Sequence, residues 1–138
     1  MRKLARHILL YEAKENNAAD VNAQSAALVF EKWRLYLSKI IGVAGFHSLL
    51  NRAWALAKTE SDFIGALQIS IDGTLVGIEK IDSEHRDPFP LDVEILLAQL
   101  LMLLDEFIGH VLTKRLVSDI WPALSLEGYD LMTKKESP

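Results

Sequence analysis

The chain has no cysteine among its 138 residues. That absence excludes a disulfide scaffold, thiolate catalysis and Cys-ligated zinc, and it fits a reducing cytoplasm. No secretion signal is expected either: the first ten residues are partly basic but hold no sustained apolar run and no small-residue cleavage site. The longest greasy stretch, residues 95–104, is about half the ~20 residues that spanning a bilayer requires, and Asp92, Glu94, Asp105 and Glu106 bracket it. No membrane span is expected. Nucleophile and phosphate motifs are missing as well, with no Gly-x-Ser-x-Gly elbow, P-loop or Gly-x-Gly-x-x-Gly run. The histidines His7, His47, His85 and His110 are scattered without ligand spacing. There is no internal repeat and no low-complexity tract.

What is present describes a globular domain. Half of the residues are hydrophobic and a quarter charged, the balance of a soluble fold, and the length suits one domain over 1–138 with a real core. The net charge of −4 is unevenly spread. Residues 1–59 carry nine Lys/Arg against four acids, whereas residues 60–106 carry eleven acids against Lys80 and Arg86. Such a dipolar chain suits a charged partner or a second copy of itself. An acidic total disfavours nucleic acid, although Arg2, Lys3, Arg6, Lys32, Arg34 and Lys39 fall on the first two helices.

Periodicity gives the elements. Residues 1–15 read as a helix with Leu4, Ile8 and Tyr11 on one face. Asp20 is the expected cap of a second helix to about residue 41, with a stripe of Ala26, Phe30, Trp33, Leu37 and Ile40. Gly42 then ends that helix or turns tightly into a third, over 43–58. The third helix buries Phe46, Leu49, Leu50, Ala53, Trp54 and Ala57. Its other side, with Gly45, Ser48, Arg52 and Ala55, admits a close neighbour. Residues 67–78 alternate with period two around Asp72-Gly73, a strong hairpin signal; a two-residue loop pairs Ile71 with Thr74 and Ile69 with Val76. An acidic link over 81–90 leads into a last long helix over 91–121, all-round apolar at its middle and therefore enclosed by neighbours. Residues 134–138 are expected to be a disordered tail.

Two segments carry a resemblance. Gly42-Val43-Ala44-Gly45-Phe46 running through Leu49-Leu50-Asn51-Arg52-Ala53, and Phe107-Ile108-Gly109 running through Leu112-Thr113 to Arg115-Leu116 and Trp121-Pro122, resemble a group of short bacterial proteins of uncharacterised activity. The resemblance implies a bacterial source and a small, mainly helical cytoplasmic protein. It implies no activity, cofactor or catalytic residue.

Candidate chemistry is sparse. Glu106 and His110 stand four apart and share a helix face; with Asp105 or His47 they could ligate a divalent metal. Arg52 and Arg115 could meet Glu106 or Asp105 between packed helices, as a buried pair that specifies geometry or as an anion site beside Gly45 and Ser48. Arg52, Glu106, His110 and Arg115 are thus the candidate polar cluster, with no catalytic residue and no cofactor implied. The expected fold is mainly α, a compact bundle of four principal helices with a small hairpin at 67–78. The expected role is a non-enzymatic protein-interaction or regulatory module. Surplus apolar surface on the second helix (Val29, Leu35, Tyr36) suggests a homodimer. The alternative is a small-ligand or metal-binding protein, an enzyme included, that uses the Arg52, Glu106, His110 and Arg115 cluster between helices.

Overall fold

The computed structural model describes residues 1–80 and 89–126. The tail at 134–138 and most of the acidic link lie outside them. As the periodicity predicts, the fold is mainly helical with one small hairpin. Its elements are α1 (Arg2–Glu15), α2 (Ala23–Ala57), a 3-10 turn (Asp62–Ala66), β1 (Gln68–Ile69), β2 (Leu75–Val76), α3 (Phe89–Ile108) and α4 (His110–Ile120). No helix among the described residues is long and apolar enough to cross a membrane.

Helix α3 is the centre. Leu96, Leu97, Leu100 and Leu101 are fully buried, and Ile95, Ala98, Leu103 and Leu104 nearly so. Within 95–104 only Gln99 and Met102 reach solvent. A fully buried leucine contributes roughly 1.5–3 kcal/mol, so this one helix supplies much of the hydrophobic drive. Helices α1, α2 and α4 all pack on it, which is the enclosure that its all-round apolar surface demands.

The capping and kinking of α2 differ from expectation. Asn22, not Asp20, caps it. The Asn22 side chain accepts from the Ser25 amide at 2.8 Å while Ser25 Oγ accepts from the Asn22 amide at 3.1 Å, a reciprocal box that satisfies two helix-end donors. Asp20 instead accepts from the amide of Val21. The second and third predicted helices are one element bent at Gly42, whose φ of 86° and ψ of 161° are non-helical. The predicted last helix is likewise broken at Gly109, with φ 90° and ψ 159°. Both glycines occupy a backbone region essentially closed to residues with a side chain. Outward from each glycine, burial runs in step. Phe30, Trp33 and Leu37 are matched by Leu97, Leu100 and Leu104, and Phe46 and Leu50 by Thr113 and Val117. One kink is thus built twice.

The two kinked rods run antiparallel. The Trp33 ring meets Trp121 edge-on at 5.6 Å, Tyr36 Oη donates to Asp119 at 2.9 Å, and Gln99 Nε2 donates to Glu60 at 2.8 Å. The hairpin lies on α2. Its register is offset by one residue from the expected one, pairing Gln68 with Val76 and Ile69 with Leu75. The reason is a three-residue loop: the Ser70 amide donates to the Thr74 carbonyl and the Gly73 amide to the Ser70 carbonyl, with Gly73 at φ 89°, the turn-plus-bulge alternative to a two-residue loop. Ile71 therefore sits at the tip, 89% exposed. Gly73 lies so close to Phe46 that a Cβ would come within 2.7 Å of its ring. Asp72 accepts from Ser70 Oγ at 2.6 Å and from the Thr74 amide at 3.0 Å, which lowers its carboxyl to about 2.

Buried carboxylates tie the helices together. Glu12, 3% exposed, accepts from Lys32 Nζ at 2.7 Å and Trp121 Nε1 at 2.9 Å, and from Asn16 Nδ2 at 3.1 Å. Burial alone would raise its pKa; the donated bonds and the Lys32 charge outweigh that and leave it lowered. Glu94, also 3% exposed, accepts from Arg2 Nε at 2.9 Å and Arg6 Nε at 2.8 Å. Arg2, Arg6 and Lys32 of the first two helices thus serve pairs with buried carboxylates, and Arg34 pairs with Glu31 along its own helix.

Candidate functional site

Near the two glycine kinks a groove lies between α2 and the end of α3. It is about 580 Å³ in volume and is lined by Ile41, Gly45, Ser48, Leu49, Arg52, Leu103, Glu106 and Phe107. Its construction follows from the backbone. At Gly109 the amide donates to the Asp105 carbonyl at 2.8 Å, closing α3, while its carbonyl accepts from both the amide and the hydroxyl of Thr113, opening α4. One residue ends one helix and starts the next. Gly45 keeps α2 narrow on the groove side: a Cβ there would meet the Ile41 side chain at 3.2 Å. The small-residue face read from the sequence is therefore the face that looks across at α3.

The groove is apolar at its base and charged at its walls. Ile41, Leu49 and Leu103 supply aliphatic surface, Arg52 stands on the α2 wall and Glu106 on the α3 wall. Both charged residues are exposed, and no ion pair among the described residues includes either. The expectation of a buried Arg52–carboxylate pair is corrected on this point. A buried pair must repay the desolvation of both charges, and the buried carboxylates that are paired are Glu12 and Glu94 instead. Phe107 lines the groove yet is 66% exposed, whereas Phe30, Phe46 and Phe89 are at most 3% exposed.

More apolar surface gathers around the kinks. Ile40 and Val43 flank Gly42 at 55% and 48% exposure; Val111 and Leu112 follow Gly109 at 75% and 42%. Ile40 was read as the last residue of the buried stripe, but the kink carries it outward. Of the surplus apolar residues expected on the second helix, Val29 is fully buried, Leu35 is exposed, and Tyr36 is engaged with Asp119.

Two of the four candidate polar residues, Arg52 and Glu106, line the groove; His110 and Arg115 do not. His110 is the half-buried first residue of α4. Arg115 is exposed and close enough to the Tyr36–Asp119 bond for its charge to act on Tyr36, whose hydroxyl is held above its ordinary value chiefly by the bond to Asp119. No cluster of three or more His, Asp or Glu suited to a metal occurs among the described residues. The sequence reading missed the buried roles of Glu12 and Glu94. A signal existed: Glu12 stands four residues after Ile8 and directly before Ala13, inside a buried stripe. Comparison with protein-family models, curated proteins and solved structures returns no match.

Proposed function

We propose that this chain is a protein-interaction or regulatory module of the bacterial cytoplasm, rather than an enzyme, and that it engages its partner through the groove at the glycine kinks. The supporting observation is Phe107, a large aromatic side chain left 66% exposed in a groove that also holds Ile41, Leu49 and Leu103. Interface centres are enriched in such aromatic anchors, and exposed aliphatic and aromatic surface of this density is costly to leave against water. Opposite charges on the two walls give orientation to whatever docks. Gly45, Ser48, Leu49 and Arg52 on one side of the groove, and Phe107 on the other, fall within the segments that carry the bacterial resemblance. A reducing compartment suits a chain without cysteine.

The missing cysteine also provides the test. Ser48→Cys creates a single thiol on the groove wall, and Glu15→Cys a control on α1. Each variant is coupled to a photo-crosslinker, added to a lysate of the source cell and irradiated. The expected result is a discrete protein adduct from position 48 that excess unlabelled chain competes away and that Phe107→Asp abolishes. Equal labelling from positions 48 and 15, or adducts indifferent to Phe107→Asp, would refute the reading.

A further inference from the structure

Resting on that reading, we propose that the occupant of the groove is a second copy of this chain, docked about a twofold axis. Phe107 of each copy enters the groove of the other, and Arg52 of each meets Glu106 of the other. A twofold interface must be self-complementary, because the same patch serves on both sides. This patch contains both halves of such a contact. Phe107 is the knob, 66% exposed. The hole is the groove beside Gly45, whose missing side chain lets Ile41 pack down against the α2 wall.

The charges agree with the same geometry. Arg52 and Glu106 stand on opposite walls, and no ion pair among the described residues includes either. A twofold axis running along the groove brings each over its opposite, so two ion pairs form at once and the second copy supplies both complementary charges. A foreign partner would need a matching dipole of its own. Ile40, Val43, Val111 and Leu112 leave further apolar area exposed near the two glycines, where a standard interface needs roughly 800 Å² per partner.

The experiment is sedimentation equilibrium of the full chain at micromolar concentration, with charge-reversal variants. The wild type is expected to be a dimer. Arg52→Glu and Glu106→Arg each place like charges opposite one another and are expected to weaken association about tenfold or more, two contacts being reversed at once. The informative sample is an equimolar mixture of these two variants. In a mixed twofold dimer both contacts regain opposite charge, so association returns to near the wild-type value. Phe107→Asp is expected to give a monomer with unchanged helical circular dichroism.

A wild type that stays monomeric at this concentration overturns the proposal. So does a dimer that Phe107→Asp leaves intact, or a mixture no tighter than its components. These outcomes differ from failure of the interaction reading. If Ser48→Cys crosslinks to other proteins and never to a second copy, the reading stands and this inference falls. If it crosslinks to nothing above the control, both fall.

Discussion

The junction around Glu12 and the groove beside Phe107 are built from the same kinds of residue and end in opposite states. At the junction, Glu12 is enclosed with Lys32, Trp121 and Asn16 as donors, and the Trp33 and Trp121 rings meet edge-on. Charge and aromatic surface are turned inward and spent on one another. At the groove, Arg52 and Glu106 are exposed and Phe107 faces solvent. The difference separates two uses of polar residues. Cross-helix bonds to a buried carboxylate fix how elements meet, because leaving such a group unsatisfied costs about 1–3 kcal/mol. Exposed charges beside apolar surface fix nothing within the chain, and so are available to a partner.

The largest effect should come from breaking the junction. Trp121→Ala removes a side chain 2% exposed, its edge contact with Trp33 and its bond to Glu12. Large-to-small changes of this kind cost about 3–5 kcal/mol, so a chemical-denaturation midpoint should fall steeply. Next come the kinks. Gly109→Ala places a side chain at φ 90° where nothing lies within 4 Å of the new Cβ. The cost is therefore backbone strain alone, about 1–3 kcal/mol, and Gly42→Ala should match it. Gly73→Ala adds the 2.7 Å approach to Phe46 and should cost more than either. Equal tolerance at all three positions, read by thermal melts, would contradict the backbone description given above.

How much of this was legible in the sequence depends on range. The all-round apolar run at 95–104 required enclosure and is enclosed. The α2 stripe of Ala26, Phe30, Trp33 and Leu37 is buried as its spacing demands. The face with Gly45, Ser48 and Arg52 was recognisable as an approach surface, and it does line the groove. Gly109, by contrast, sits within a strong helical pattern, where a glycine reads as a cost of ~1 kcal/mol rather than a break; its positive φ is set by how α3 and α4 pack. The hairpin register slipped by one because Asp-Gly suits both a two-residue loop and a longer one with a bulge. Nothing local links Glu12 to Trp121, 109 positions away. Helix faces follow from short-range spacing. Which helices meet, and which carboxylate they enclose, does not.

A milder break of the junction sharpens the comparison through pH. Glu12 titrates below its ordinary value in the folded chain. A lowered folded pKa means that its stabilising contribution is complete above the unfolded value of 4.5 and is lost as pH falls through the folded one. Glu12→Gln keeps an acceptor for Trp121 but removes the charge facing Lys32. Since Lys32 is 41% exposed, solvent screens part of the interaction, and a cost of about 1–2 kcal/mol at neutral pH is expected. Below pH ~4.5 the two proteins should converge in melting temperature, apart from the carboxylates they share. A gap that persists undiminished at low pH would place the role of Glu12 in packing rather than in charge.

The smallest stability effect belongs to Phe107→Ser. Burial on folding is what makes a large side chain costly to remove, and Phe107 is 66% exposed. Truncating it should change stability by no more than about 0.5 kcal/mol, against the several kcal/mol expected for Trp121→Ala. The same substitution should nonetheless lower self-association sharply, because a residue that contributes little within its own chain can be the anchor of an interface. The two measurements therefore pull apart at Phe107 and move together at Trp121, where loss of fold carries loss of binding with it. A Phe107→Ser protein destabilised as much as Trp121→Ala would mean that the ring is part of the core in solution, and the contrast between a closed junction and an open groove would disappear.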